Sequence, residues 1–325
     1  MSSIADFRQQ LKVSVEDVEH YRLDLIKKVE LSKYLFLIPI LLCIIGTVFT
    51  FFNDFAISLL FFFVGIIIYL MIVFLIVNRI KIDYAKVYKE KIFSSFFSMH
   101  FPEFTFDHQD MIAEDDFKAS ELFGSYGLYQ GEDLILGICK NRIQYQMSEL
   151  EIYHENNDKK TKTRTNTHPN AVFIGLFFVM DLPFELNGRL KIYPNNTENS
   201  LDKDPSLVLQ DKTIFFKNNS AVHLDKYPDF DRGFNIYMDQ ALQKKEIFSD
   251  KLLELICNVR FKWDANIKIS FKGKKLYVAL PLDKDLFDPN IHHSLLNNNL
   301  LNKFNDELSL CLTLAEDISQ SLIIA

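Results

Sequence analysis

Phe55–Val77, FAISLLFFFVGIIIYLMIVFLIV, runs for twenty-three residues without a charge. Only Asn53-Asp54 separates it from Tyr34–Phe52, YLFLIPILLCIIGTVFTFF, which is also uncharged. A bilayer core of about 30 Å needs about twenty helical residues, each rising about 1.5 Å. Both runs meet that length, and neither carries the polar stripe of a helix buried in a soluble core. The sequence therefore predicts a transmembrane helical hairpin over 34–77, with spans at 34–52 and 55–77. It is not a cleaved signal peptide, because thirty-three mostly polar residues precede it and a second span follows.

Cationic residues set the expected orientation. Lys27, Lys28 and Lys33 precede the first run, and Arg79, Lys81, Lys86, Lys89 and Lys91 follow the second. The connecting dipeptide has neither Lys nor Arg, so the positive-inside rule places both termini in the cytoplasm of an inner membrane. No Asp, Glu, Lys, Arg or His lies inside either run, and ion and proton pathways depend on such groups. The hairpin reads as a tether, with an oligomeric channel as the weaker alternative. Gly46 and Gly65 are expected to be packing contacts.

Amphipathic segments flank the hairpin. Ile4, Phe7, Leu11, Val15, Val18, Leu25 and Val29 recur at helical spacing with one wider gap, predicting a cytoplasmic helix over 1–33. Ile82, Val87, Ile92, Phe93, Phe96 and Phe97 predict a stalk helix over 78–100, packed against the first. Phe101-Pro102 ends it, since proline disfavours helix at the preceding residue. Residues 101–325 remain for a cytoplasmic domain.

That domain reads as α+β: a mixed, largely antiparallel sheet with a few packed helices. A helix is expected near Asp115–Phe123. DLILGICKNRIQYQM predicts two strands around Lys140-Asn141, and VFIGLFFVMDLPF, Val172–Phe184, a central buried strand. Further strands are expected at Arg189–Tyr193, TIFFK and FNIYMD, with helices at Ser249–Asn258 and Asn302–Leu322. IKISFKGKKLYVAL predicts a hairpin turning at Gly273. Two polar tracts, Asn156–Asn170 and PNNTENSLDKDPS, read as loops. Lys159, Lys160, Lys162 and Arg164 in the first tract are expected at a solvated loop tip.

Several stretches together resemble a bacterial domain of unknown function, number three-one-three-seven. They are GLFFVMDLPF with LKIYP, DFDRGFNIYMDQ with IFSDKLLELI, and ISFKGKKLYVAL with DLFDP. The resemblance covers roughly Glu121 to Ile291 and implies two apolar helices ahead of the domain. It carries no established activity. Where that family tends to show Ala-Arg-Tyr after the Asp-Gln pair, this chain has Gln243-Lys244-Lys245.

Charge and motif content narrow the function. Residues 1–100 hold eleven Lys/Arg and nine Asp/Glu, leaving twenty-five and thirty-four for 101–325, a formal −9. An acidic domain is a poor ligand for phosphate backbones, so no nucleic-acid partner is expected. Cys43, Cys139, Cys257 and Cys311 have neither disulfide nor zinc spacing. There is no Gly-rich phosphate loop and no nucleophile elbow. No catalytic residue, metal site or cofactor is assigned. Asp107-His108 with Asp110, and His292-His293, read as loop residues.

Polar residues that interrupt apolar strands are the remaining candidates. Asp181 closes the central strand, Asp239 and Gln240 close FNIYM, and Arg232 lies just upstream. Carboxylates at neighbouring strand ends make a cleft, whereas isolated ones satisfy turn amides. The expectation is a membrane-anchored interaction or ligand-sensing domain whose partner is a protein or small ligand at the cytoplasmic face. A tethered hydrolase or transferase using Asp181, Asp239 or a histidine is the alternative.

Overall fold

The structure is a computed structural model. It describes residues 4–35, 41, 43–48, 55–93, 103–139, 142–155, 171–195, 221–222, 228–239, 250–263, 266–282, 287, 289, 291–296, 317–318 and 320. The chain divides into two compact units. One comprises Met1–His100 with Phe287–Lys303, the other Phe101–Leu286 with Phe304–Ala325.

The first unit is built on two long helices, α1 (Ile4–Leu35) and α2 (Phe55–Tyr88). A π-helical turn, Lys89–Phe93, continues α2. From Phe55 this helix is long and apolar enough to cross a membrane by length and composition, and only 6% of its most apolar window is buried. Phe55, Leu60, Ile67, Phe74 and Leu75 are all exposed. The upstream run, Tyr34–Phe52, lies largely outside the described residues. Its 43–48 portion is helical, and a Cβ added at Gly65 would lie 2.7 Å from the Cys43 sulfur. Only glycine at 65 permits that approach.

Beyond the apolar run the first unit has a core of its own. Val15, Val18 and Leu25 of α1 are buried, as the periodicity predicts. The wider gap between Val18 and Leu25 is filled by charge. Glu19 and Arg22 are 5% and 6% exposed and form a bidentate pair, Nε–Oε2 2.8 Å and Nη2–Oε1 2.7 Å. Arg22 Nη1 also donates to the Ile291 carbonyl at 2.8 Å. Glu19 accepts from Ser294 Oγ at 2.7 Å and from the Leu295 amide at 3.0 Å. The pair thus holds the 291–295 segment against α1.

On α2 and its π-helical turn the expected stripe is met at Ile92 and Phe93 and missed at Ile82. Ile82 is 63% exposed, and the buried line instead runs Tyr84, Tyr88, Lys89, Ile92, Phe93. Tyrosine, with a large apolar ring, replaces aliphatic residues on this face. Tyr88 meets Phe93 edge-on at 5.8 Å, and Phe93 meets Phe287 at 5.4 Å. Burial pushes the Tyr88 hydroxyl up to about 12. Residues 96–97 lie outside the described residues.

The second unit is a seven-stranded sheet: β1 (Thr105–Asp107), β2 (Leu128–Ile138), β3 (Gln144–Tyr153), β4 (Ala171–Pro194), β5 (Ala221–Val222), β6 (Phe234–Met238) and β7 (Lys268–Pro281). The order is β1-β2-β3-β4-β6-β5, with β7 on the other side of β4. Every pairing among the described residues is antiparallel. Helices α3 (Glu114–Ala119), α4 (Pro228–Gly233) and the longer α5 (Asp250–Trp263) accompany it.

Two stretches differ from expectation. The predicted hairpin at Gly273 is one strand, β7, and the predicted strands Val172–Phe184 and Arg189–Tyr193 are one strand, β4. Alternation on both sides of a glycine fits a turn or a bulge equally well. Here both arms of β7 pair with β4, from Gly175↔Pro281 to Ile192↔Ile269. Seven residues of β4 separate Asp181 from Arg189, while two of β7 separate their partners Lys275 and Lys272. β4 therefore bulges outward at 182–188, and Gly273, at φ +59°, takes up the mismatch. TIFFK, all of Asn156–Asn170, PNNTENSLDKDPS beyond its first two residues, and most of Asn302–Leu322 lie outside the described residues.

Each sheet face has its own cover. Residues 110–127, including α3, lie on one, where Ile112, Phe117, Leu122 and Phe123 join Leu150, Phe173, Phe177, Tyr277 and Ala279. Phe117 stacks on Phe123 at 5.1 Å. Leu252, Ile256 and Val259 of α5 approach Ile269, Phe271, Leu276 and Val278 on the other. Gly175, at φ +142°, sits between the Leu280 carbonyl and the Leu282 amide, where a Cβ has no room.

Candidate functional site

The bulge in β4 interrupts the sheet on one side only. β3 pairs with β4 as far as Tyr145↔Met180, and β6 takes over at Leu190↔Met238, while β7 runs past both. Charged residues collect where these strand ends meet the 110–127 cover.

Glu121 is at their centre. It follows α3 and Ser120 in the left-handed region, φ +52°, a conformation more often taken by glycine. Its carboxylate receives Lys272 Nζ at 2.6 Å, Lys191 Nζ at 3.1 Å and Arg189 Nη1 at 3.3 Å. Lys191 also donates to the Glu121 carbonyl at 2.9 Å. A little further along, Lys275 Nζ meets Asp116 of α3 at 2.6 Å, and Gln146 reaches the other oxygen of Asp116 at 3.3 Å. The cover is therefore pinned to the sheet through the carboxylates of Glu121 and Asp116.

Burial and charge compete in this cluster. Burial pushes the Glu121 carboxyl up, but the Lys272 bond and the neighbouring Lys191 overcome that push and hold it at about 2. Lys191 is 2% exposed, and burial draws its ammonium below the usual lysine range against the pull of Glu121. The cost of burying the pair thus falls on the lysine. Glu19 in the first unit is likewise held at about 2, by the Arg22 bond first and despite burial.

A pH dependence follows. Both folded-state values lie below the ordinary 4.5, so each carboxylate's contribution is complete above about pH 4.5 and is lost as pH falls toward 2. Urea midpoints taken from pH 7 to pH 2.5 are expected to be flat down to about pH 5 and then fall. The difference between wild type and Glu121→Gln should shrink in the same window. A constant difference down to pH 2.5 would contradict this account.

Of the sequence candidates, Asp239 and Asp181 reach this region. The Asp239 carboxylate accepts the Arg189 amide at 2.8 Å and Arg189 Nε at 3.3 Å, and its own amide donates to the Arg189 carbonyl at 3.0 Å. Asp181 pairs in register with Lys275 and is exposed. Measured along β7, the Asp181 and Arg189 positions are three residues, roughly 10 Å, apart. The two carboxylates share a belt but do not converge within hydrogen-bond reach. Arg232 is exposed in the last turn of α4, and its carbonyl accepts from Asn195 at 3.2 Å. Gln240 lies outside the described residues. Asp107 and Asp110 accept nearby loop amides, from Gln109 and Met111.

Beside Asp181 the sheet is open. Glu103, Thr105, Leu136, Ile138, Gln144, Gln146, Val179, Asp181 and Lys275 border a trough of about 410 Å³. A second recess, of about 310 Å³, is bordered by Glu132, Glu149 and Glu151. Ligand atoms of Glu132, Asp133 and Glu149 lie within 4.8 Å of one another at the β2 bulge, a spacing a hard cation tolerates. Acidic groups often sit this close without an ion, and we assign none.

Sheet, cover, belt and trough define an α+β domain that offers an open polar-edged recess and no assembled catalytic set among the described residues. Residues 171–320 match the family described as "Protein of unknown function (DUF3137)", and this segment carries that domain. The match starts at β4, so it includes Asp181, Arg189, Lys191, Asp239 and Lys272 but not Glu121. No curated protein and no solved structure matches the chain.

Proposed function

We propose that this protein is a membrane-anchored interaction module, fixed by a helical hairpin over 34–77 and presenting its sheet domain to the cytoplasm. The uncovered apolar surface of α2 carries this reading. In water, an apolar stretch of about twenty residues would be buried or would drive aggregation, whereas lipid solvates it at no cost. The Gly65–Cys43 approach supports a second helix returning beside the first, as small residues allow in bilayers. The Lys and Arg flanking both ends support a cytoplasmic domain. The sheet domain would bind a protein or ligand through the trough at Asp181.

Alkaline carbonate extraction is expected to leave the full chain in the membrane pellet. A single cysteine placed at Asn53, in a chain with Cys43, Cys139, Cys257 and Cys311 replaced by serine, should react with an impermeant maleimide from outside. One placed at Ala325 should not. Release by carbonate would overturn the anchor, and labelling at Ala325 alone would reverse the orientation.

A further inference from the structure

The trough has a definite chemical pattern. Two cross-strand rows run over it on the face that the 110–127 segment covers elsewhere. One is Thr105–Leu136–Gln146–Val179–Tyr277 and the other includes Ile138–Gln144 and Asp181–Lys275. The strands are about 4.8 Å apart, so five of them make a floor roughly 19 Å across. Leu136 and Ile138 are 43% and 50% exposed on that floor. Single exposed aliphatics are ordinary, but these two adjoin one recess between polar walls.

The walls are acidic in effect. Lys275 is the cation at the edge, and its ammonium is held by Asp116 at 2.6 Å. Asp181 and Glu103 form no ion pair among the described residues, and both are exposed. Asp181 lies on β4 and Glu103 just ahead of β1, roughly 14 Å apart across three strand spacings. Residues 101–325 carry a formal −9, which adds a general attraction for cations.

Building on the interaction-module reading, we propose that the trough is a docking site for a short cationic peptide segment of a partner protein, with aliphatic side chains on Leu136 and Ile138 and Lys or Arg on Asp181 and Glu103. An anionic ligand would meet two carboxylates at the rim, and a purely apolar one would leave them desolvated. A segment bearing both kinds of side chain satisfies floor and walls together. Rim charges of this kind set specificity and association rate more than affinity.

The test uses the full chain in zwitterionic phosphatidylcholine nanodiscs, with empty discs as blank, and a fluorescent twelve-residue Lys–Leu peptide read by anisotropy. Saturable binding is expected. Glu103→Lys with Asp181→Lys should weaken it by about tenfold. The same charge change at exposed sites outside the trough, Glu185→Lys with Glu254→Lys, should weaken it less than about twofold. The trough variant should also gain binding to a Glu–Leu peptide, a result that a misfolded protein cannot give.

Equal weakening by both pairs of substitutions would overturn the proposal, since it would reduce the effect to the domain's overall charge. Competition by spermine at the peptide's own concentration would overturn it in favour of a small-cation site. No binding by protein inserted in discs would overturn the docking site and leave the anchor standing. Failure of the chain to enter discs would overturn the anchor instead.

Discussion

Arg22→Met is expected to lower the stability of the first unit by about 3–5 kcal/mol, because it leaves the Glu19 carboxylate buried with only a hydroxyl and an amide for company. It also deprives the Ile291 carbonyl of its donor. Replacing both partners, Glu19→Gln with Arg22→Met, should restore at least half of the loss, since a neutral amide can still meet Ser294 and the Leu295 amide. The measurement is a urea titration in mild detergent, with hydrogen exchange at Leu295 as the local probe. An Arg22→Met chain within about 0.5 kcal/mol of wild type would show that the pair does not hold the 291–295 segment.

Glu121→Gln is expected to cost about 2–4 kcal/mol in the second unit. Lys191 would keep the backbone carbonyl of residue 121 but lose the carboxylate that offsets its burial. Arg189 and Lys272 would lose an ion partner as well, at a smaller cost because they are partly solvated. Exchange protection should fall across 110–127 before the rest of the sheet. Adding Lys191→Met should recover much of the loss by removing the stranded cation. Glu121→Gly gives an independent reading: it relieves the positive φ yet should still destabilise, because the ionic cost exceeds about 1 kcal/mol of backbone relief. A Gly variant more stable than wild type would mean the charges contribute little.

The main outlines of the fold were legible because hydrophobic pattern carries them. The runs at 34–52 and 55–77, the strand pattern after Lys140-Asn141 and the stripe through Val15, Val18 and Leu25 are local signals, and the helix from Phe55, β3 and the buried α1 face follow from them. The long β4 was legible only in pieces. Asp181-Leu-Pro reads as a stop, and nothing local tells that the chain bulges and resumes the same ladder opposite Gly273. Tyr84 and Tyr88 were missed in the stalk because their rings pack like aliphatic residues while their hydroxyls mark them as polar in a periodicity count.

The belt was only half legible. Asp181 and Asp239 stand out because they interrupt apolar strands. Lys191 shows the same signal, a charge between Leu190 and Ile192, but lysine in an alternating strand reads as a solvent-facing position. Its burial depends on Glu121, seventy residues away, and no local pattern connects them. Glu19 and Arg22 occupy the wide gap in the α1 stripe. Their burial is set by residues 291–295, which reach them from the other end of the chain.

That long-range grip bears on how a version of this protein without its apolar run has to be cut. A piece beginning at Phe101 would keep Phe287, Ile291 and Leu295 but discard the helices that bury them, leaving an aliphatic and aromatic ledge in solvent. Trimming the ledge at Leu286 instead would separate the sheet from Ile318, which lies beyond it in sequence and approaches α5. The sounder excision removes only the apolar segment, joining α1 near Leu31 to α2 near Arg79 with a short polar linker. Glu19, Arg22, Tyr84 and Phe93 would then remain to close over the returning segment, and the exposed apolar surface of α2 would be gone.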